Sequence, residues 1–76
     1  MTKMDFLLAY EREVIARYDW ATDKAKLERF MASVANTITG GVATWNHQGP
    51  AVSAAWHAIG GTGKVTLAAL RSLSTQ

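Results

Sequence analysis

Apolar residues return with helical period along almost the whole chain, and nothing else in the sequence constrains the fold as strongly. The clearest stretch runs from Asp23 to Thr39. Leu27, Phe30, Met31, Val34, Ala35 and Ile38 stand there at i, i+3, i+4, i+7, i+8 and i+11. That spacing puts all six on one face of an α-helix. Thr22 suits the N-cap, and Gly40-Gly41 supplies the left-handed residue that ends helices. A first helix is expected from Asp5 to Tyr18. Leu7, Tyr10, Val14, Ile15 and Tyr18 would face inward, and Arg12, Glu13 and Arg17 outward. Asp5 near its start and Arg17 near its end complement the helix dipole. Asp19-Trp20-Ala21-Thr22 reads as a short connection.

Proline is favoured at the first helical position, so a third helix is expected from Pro50 to Ile59. Its apolar face would be Val52, Ala55, Trp56 and Ile59, and Gly60-Gly61 would end it. Thr62-Gly63-Lys64 then opens a fourth helix, from Lys64 to about Leu73. Val65, Ala69, Leu70 and Leu73 would cover one side, with Lys64 and Arg71 two turns apart on the other. The piece from Val42 to Gly49 is irregular. Val42 to Trp45 could be extended, but no second strand exists to pair with it.

The expected fold is therefore all-α: a compact bundle of about four helices in one domain spanning residues 1–76, the last two helices forming a helix-turn-helix-like hairpin. A chain of 76 residues is too short for a Rossmann pair, a TIM barrel, a kinase or an α/β-hydrolase. Thirteen of its residues are alanine, which packs closely but buries little area. With no cysteine, disulfides and cysteine-bound zinc are excluded. Small domains short of core commonly gain stability by association, so a homo-oligomer is expected.

The longest bulky run, Phe6 to Tyr10, is far below the roughly 20 apolar residues a bilayer demands. It is also too short for a signal-peptide core and runs into Glu11-Arg12-Glu13. No membrane association and a cytoplasmic location are the expectations. The net charge is +2, but all six acids lie within residues 1–28. Residues 29–76 carry only Arg29, Lys64 and Arg71 as fixed charges, with His47 and His57. A mildly positive half is compatible with a polyanion, or is simply poor in charge.

Gly60-Gly61-Thr62-Gly63-Lys64-Val65-Thr66 resembles a phosphate-binding loop only at first sight. The Walker pattern requires glycine where Ala58 stands and a hydroxyl where Val65 stands, after a strand rather than a helix. His47 and His57 match no metal spacing, and the C-terminal half offers no carboxylate, so no metal site is expected. Ser33 and Ser53 lack the setting of a nucleophile. No catalytic constellation, cofactor or small-molecule substrate is evident, and the chain reads as non-enzymatic.

Helix, glycine-containing turn, helix is the outline of a DNA-binding pair. With Pro50–Ile59 as the first helix and Lys64–Leu73 as the second, the nucleic-acid-binding candidates are Thr62, Lys64, Thr66 and Arg71, with Arg29 adding charge. Three glycines in the turn, and Trp56 where a small residue is usual, fit an ordinary helical hairpin better. Trp20 and Trp45 are the interface candidates, since tryptophan is enriched at contact hot spots. Trp45 would equally serve as a plug between helices, or as a platform on which a base stacks.

The cadence Leu27-Glu28-Arg29-Phe30-Met31, Thr44-Trp45-Asn46, Gly49-Pro50-Ala51, Ala55-Trp56, Ile59-Gly60-Gly61, Gly63-Lys64 and Ala69-Leu70-Arg71 resembles small uncharacterised helical proteins of bacteriophages and mobile elements. The likeness spans residues 27–73. It implies a small, cytoplasmic, non-catalytic accessory protein acting on nucleic acid or on another protein. DNA binding through residues 50–73 is the first functional expectation, and a protein-interaction or assembly module is the alternative.

Overall fold

A computed structural model describes residues 1–40 and 49–75 of the chain. Among them run four α-helices: α1 (Lys3–Arg17), α2 (Lys24–Ile38), α3 (Gly49–Ala58) and α4 (Leu67–Arg71). A short 3₁₀ helix, Asp19–Thr22, joins α1 to α2. No strand occurs among the described residues; one parallel bridge links Thr2 to Ser74. The all-α expectation is met.

α1 starts two residues earlier than its apolar pattern suggests, because a capping box sets its first turn. The Thr2 hydroxyl accepts from the Asp5 N–H at 3.0 Å, and the Asp5 carboxylate accepts from the Thr2 N–H at 2.9 Å. The hydrogen bonds from the Thr2 backbone and then its side chain hold the Asp5 carboxyl below the ordinary carboxylate range. α2 begins after Asp23 rather than Thr22. The Asp23 carboxylate accepts from the Lys26 N–H at 3.2 Å. Thr22 sits inside the 3₁₀ turn, where its hydroxyl donates to the Asp19 carbonyl. Gly40, at φ 102°, ends α2 as expected.

The core is built from Phe6, Tyr10 and Val14 of α1, Leu27, Val34 and Ile38 of α2, Ala51, Val52 and Ala55 of α3, then Ile59 and Leu70. α3 lies chiefly against α1, and its three buried residues, Ala51, Val52 and Ala55, share one core cluster with Phe6 and Tyr10. Small residues on α3 let the two helices approach and leave the bulk to the aromatic side of the contact. α4 lies against α2. The inward face of α1 is consequently rotated from the one the pattern suggested. Phe6, Ala9, Tyr10 and Val14 are buried, whereas Ile15, expected inside, is 52% exposed.

Two cations tie the C-terminal region to distant parts of the chain. The Lys3 ammonium donates to the carbonyls of Arg71 at 3.0 Å and Leu73 at 2.5 Å, satisfying acceptors at the end of α4. The Lys3 N–H adds a bond to the Ser74 carbonyl at 2.7 Å. The Arg71 guanidinium reaches in turn to the end of α2. Its Nε and Nη2 donate to the Thr37 carbonyl at 3.2 and 3.0 Å.

Candidate functional site

The glycine-rich turn is shaped around Trp56. Gly60 (φ 92°) and Gly63 (φ 70°) occupy the left-handed region, which glycine adopts without steric cost. Gly61 has a different role. A Cβ built there would stand 2.2 Å from the Trp56 ring, so glycine is required by the close approach of the indole. The Gly61 N–H donates to the Trp56 carbonyl at 2.9 Å, and the Trp56 indole N–H donates to the Thr62 carbonyl at 3.2 Å.

This turn extends to Thr66, and the fourth helix begins only at Leu67. The expected helix from Lys64 is corrected on that point. The Thr66 hydroxyl caps the first turn by accepting from the Ala69 N–H at 3.1 Å, and a residue at that position has extended backbone. Lys64 therefore lies on the turn and not on a helix face shared with Arg71. Thr62 and Lys64 are exposed, as is Arg29 on α2. Arg71 is half-buried and engaged with Thr37, so the structure divides the candidate residues between solvent and internal contacts.

Arg71 is expected to be a stability residue. Truncation to alanine removes two charge-assisted bonds and leaves the Thr37 carbonyl without them, a loss of about 1.5–3 kcal/mol. Arg71→Lys should recover only part, because an ammonium cannot reproduce the guanidinium fork. Lys64→Ala, on the exposed turn, should change stability by less than about 0.5 kcal/mol. Urea titration followed by circular dichroism checks the contrast, and equal effects at the two positions would contradict it.

Trp20 is half-buried against the core. Its ring stacks on Tyr18 at 6.0 Å and meets the Phe30 ring edge-on at 5.1 Å. Trp45 and His47 lie outside the described residues. No group of three His, Cys, Asp or Glu among the described residues could hold a metal. A cleft of about 180 Å³ opens between Met1, Trp56, Ile59, Gly60, Gly61 and Leu73, smaller than the roughly 300 Å³ at which small-molecule pockets begin. None of these residues has an ionisable side chain.

The most unusual surface is on α1. Met1 is 65% exposed, Met4 and Leu8 53% each, and Ile15 52%. Met4, Leu8 and Ile15 fall within about 40° of one another around the helix, at about 100° per residue. Met1 precedes the extended Thr2 and lies at the cleft beside Trp56 and Leu73, off this line. The helix thus carries two apolar faces: one against α3, and one toward solvent. Period analysis found the helix but not this second face, because Leu7, Leu8 and Ile15 look alike in sequence and only docking decides which of them turns inward.

Comparison with known proteins returned no matching family model, no matching curated protein and no matching solved structure. Among the described residues no helix is long and apolar enough to cross a membrane. The chain stands as a small all-α domain with a solvent-facing apolar stripe on its first helix.

Proposed function

We propose that the protein is a small non-catalytic accessory protein that works as an interaction module, meeting a protein partner through the exposed face of α1. The stripe of Met4, Leu8 and Ile15 carries this reading. A helix that covers its own core with one apolar face normally turns a polar face to water. Here three large side chains of the helix remain in solvent, where each Å² of apolar surface costs about 25 cal/mol relative to burial. Aligned exposed residues of this kind mark contact surfaces more often than scattered ones do.

Nucleic-acid binding through residues 50–73, in a helix-turn-helix-like hairpin, draws less support. Its recognition helix would be α4, which has five residues. Arg71 holds the Thr37 carbonyl, and Thr66 caps its own helix. Thr62, Lys64 and Arg29 stay available, a thin set for a backbone whose binding draws its strength from several phosphate contacts.

Two measurements separate the readings. Anisotropy of a labelled mixed-sequence duplex should show no tight binding between about 50 and 200 mM salt. Leu8→Ser with Ile15→Ser should leave dilute-solution stability within about 0.5 kcal/mol per substitution, as expected of surface positions. Tight binding that falls steeply with salt and is lost in Lys64→Ala with Arg29→Ala would restore the nucleic-acid reading. A double serine variant that unfolds would show the stripe to be core, and the interaction reading would fail.

A further inference from the structure

We infer that the partner of the α1 stripe is a second copy of this chain, docked helix against antiparallel helix about a two-fold axis passing between Glu11 and Arg12. The inference rests on the reading of α1 as a contact face and names its occupant.

Leu8, Glu11, Arg12 and Ile15 stand at i, i+3, i+4 and i+7, so they form one rhombus on the side of α1 away from the core. Its two apolar corners, Leu8 and Ile15, lie at the ends, and its two charged corners lie in the middle. A two-fold axis through the middle sets Leu8 against Ile15 of the partner subunit and Glu11 against Arg12 of the partner subunit. The same two contacts recur in reverse, as a self-complementary interface requires. Two apolar pairs then flank two ion pairs of opposite sign.

The charges make the face complementary to a second copy of itself. Glu13 is already bound to Arg17 on the same helix. Glu11 and Arg12 have no ionic partner among the described residues. In a parallel pairing about a two-fold axis Leu8 and Ile15 would each meet their own copy, and the two helix dipoles would align unfavourably. The antiparallel pairing sets opposite charges together and also opposes the two helix dipoles favourably.

The area is modest. Met4, Leu8 and Ile15, each a little over half exposed, present on the order of 300 Å² per chain. Two such patches stay below the roughly 1,200 Å² of standard specific interfaces, so the self-association expected is weak and reversible.

Sedimentation velocity of the full chain, from about 5 to 500 µM, is the test. The expected result is a concentration-dependent shift from 8.3 kDa toward twice that mass. Glu11→Arg alone and Arg12→Glu alone should each weaken self-association roughly tenfold or more, since each sets like charges face to face. An equimolar mixture of the two single variants should associate as a heterodimer, because their charges are complementary across the axis. Circular dichroism melts of the single variants confirm that each is folded. A monomer at every concentration would overturn the self-docking inference while leaving a different protein partner for the α1 face. A dimer indifferent to the charge reversals, or a mixture no better than either variant alone, would place the contact elsewhere and overturn it too.

Discussion

Phe6→Ala is expected to cost about 3–5 kcal/mol, a large share of what holds so small a domain together. Phe6 is fully buried, and its ring lies 5.5 Å from that of Tyr10. Tyr10 meets Phe30 at 5.7 Å, and Phe30 meets Trp20 at 5.1 Å. This run of rings crosses from α1 to α2 and the 3₁₀ turn. Ala51, Val52 and Ala55 of α3 belong to the same core cluster and are too small to fill a void left by a lost phenyl group. The cost therefore includes both the lost transfer energy and most of the cavity term. A 76-residue domain has roughly 4–11 kcal/mol in all, at about 0.05–0.15 kcal/mol per residue. Leu8→Ala, two residues along the same helix, should stay within about 0.5 kcal/mol in dilute solution. Urea unfolding of both variants decides the matter. A loss below about 1.5 kcal/mol for Phe6→Ala, or a larger loss for Leu8→Ala, would mean that α1 presents a different face to α3.

Gly61→Ala should cost about 2–3 kcal/mol, an unusual penalty for one methyl group on a surface turn. The added Cβ would stand 2.2 Å from the indole of Trp56, a distance no pair of carbon atoms tolerates. Either the backbone shifts or the ring swings out. Backbone movement strains the bond from the Gly61 N–H to the Trp56 carbonyl, and ring movement breaks the bond from the indole N–H to the Thr62 carbonyl. One lost hydrogen bond is about 1 kcal/mol, and re-exposing part of an indole adds about 1–2 kcal/mol. Gly49→Ala is the control. No atom lies within 4 Å of its Cβ position and it opens α3, so alanine there should be neutral or stabilising. The indole N–H resonance of Trp56 is the local readout. An unchanged resonance together with unchanged stability in Gly61→Ala would refute the close approach.

Much of the local structure was legible because its causes are local. The period of Leu27, Val34 and Ile38 identified α2, and Gly40 marked its end at positive φ. Pro50 and Gly60 bracketed α3 to within a residue. α4 was misread because Val65, Ala69, Leu70 and Leu73 keep helical spacing across a stretch that is partly turn. Thr66 begins the helix with its own hydroxyl, and a cap acts over three residues where a periodic pattern needs more than ten. Charge and a place on the expected second helix make Arg71 a nucleic-acid candidate in the sequence. The carbonyl it binds, at Thr37, is 34 residues away, and no local pattern announces that pairing.

The sequence by itself determined the helical class and, among the described residues, most of the helix ends, since period, caps and glycine stops act over a few residues. It also determined the pool of apolar side chains that could serve as core. Tertiary structure alone decided how that pool was divided. Docking of α3 on α1 took Phe6, Tyr10 and Val14 inward and left Met4, Leu8 and Ile15 in water. It likewise turned Lys3 and Arg71 from nominal surface charges into caps on α4 and α2. Hydrophobic burial is non-directional, so a helix with apolar residues on two sides can be satisfied either way round, and only the shape of its neighbour selects which side stays open for a partner.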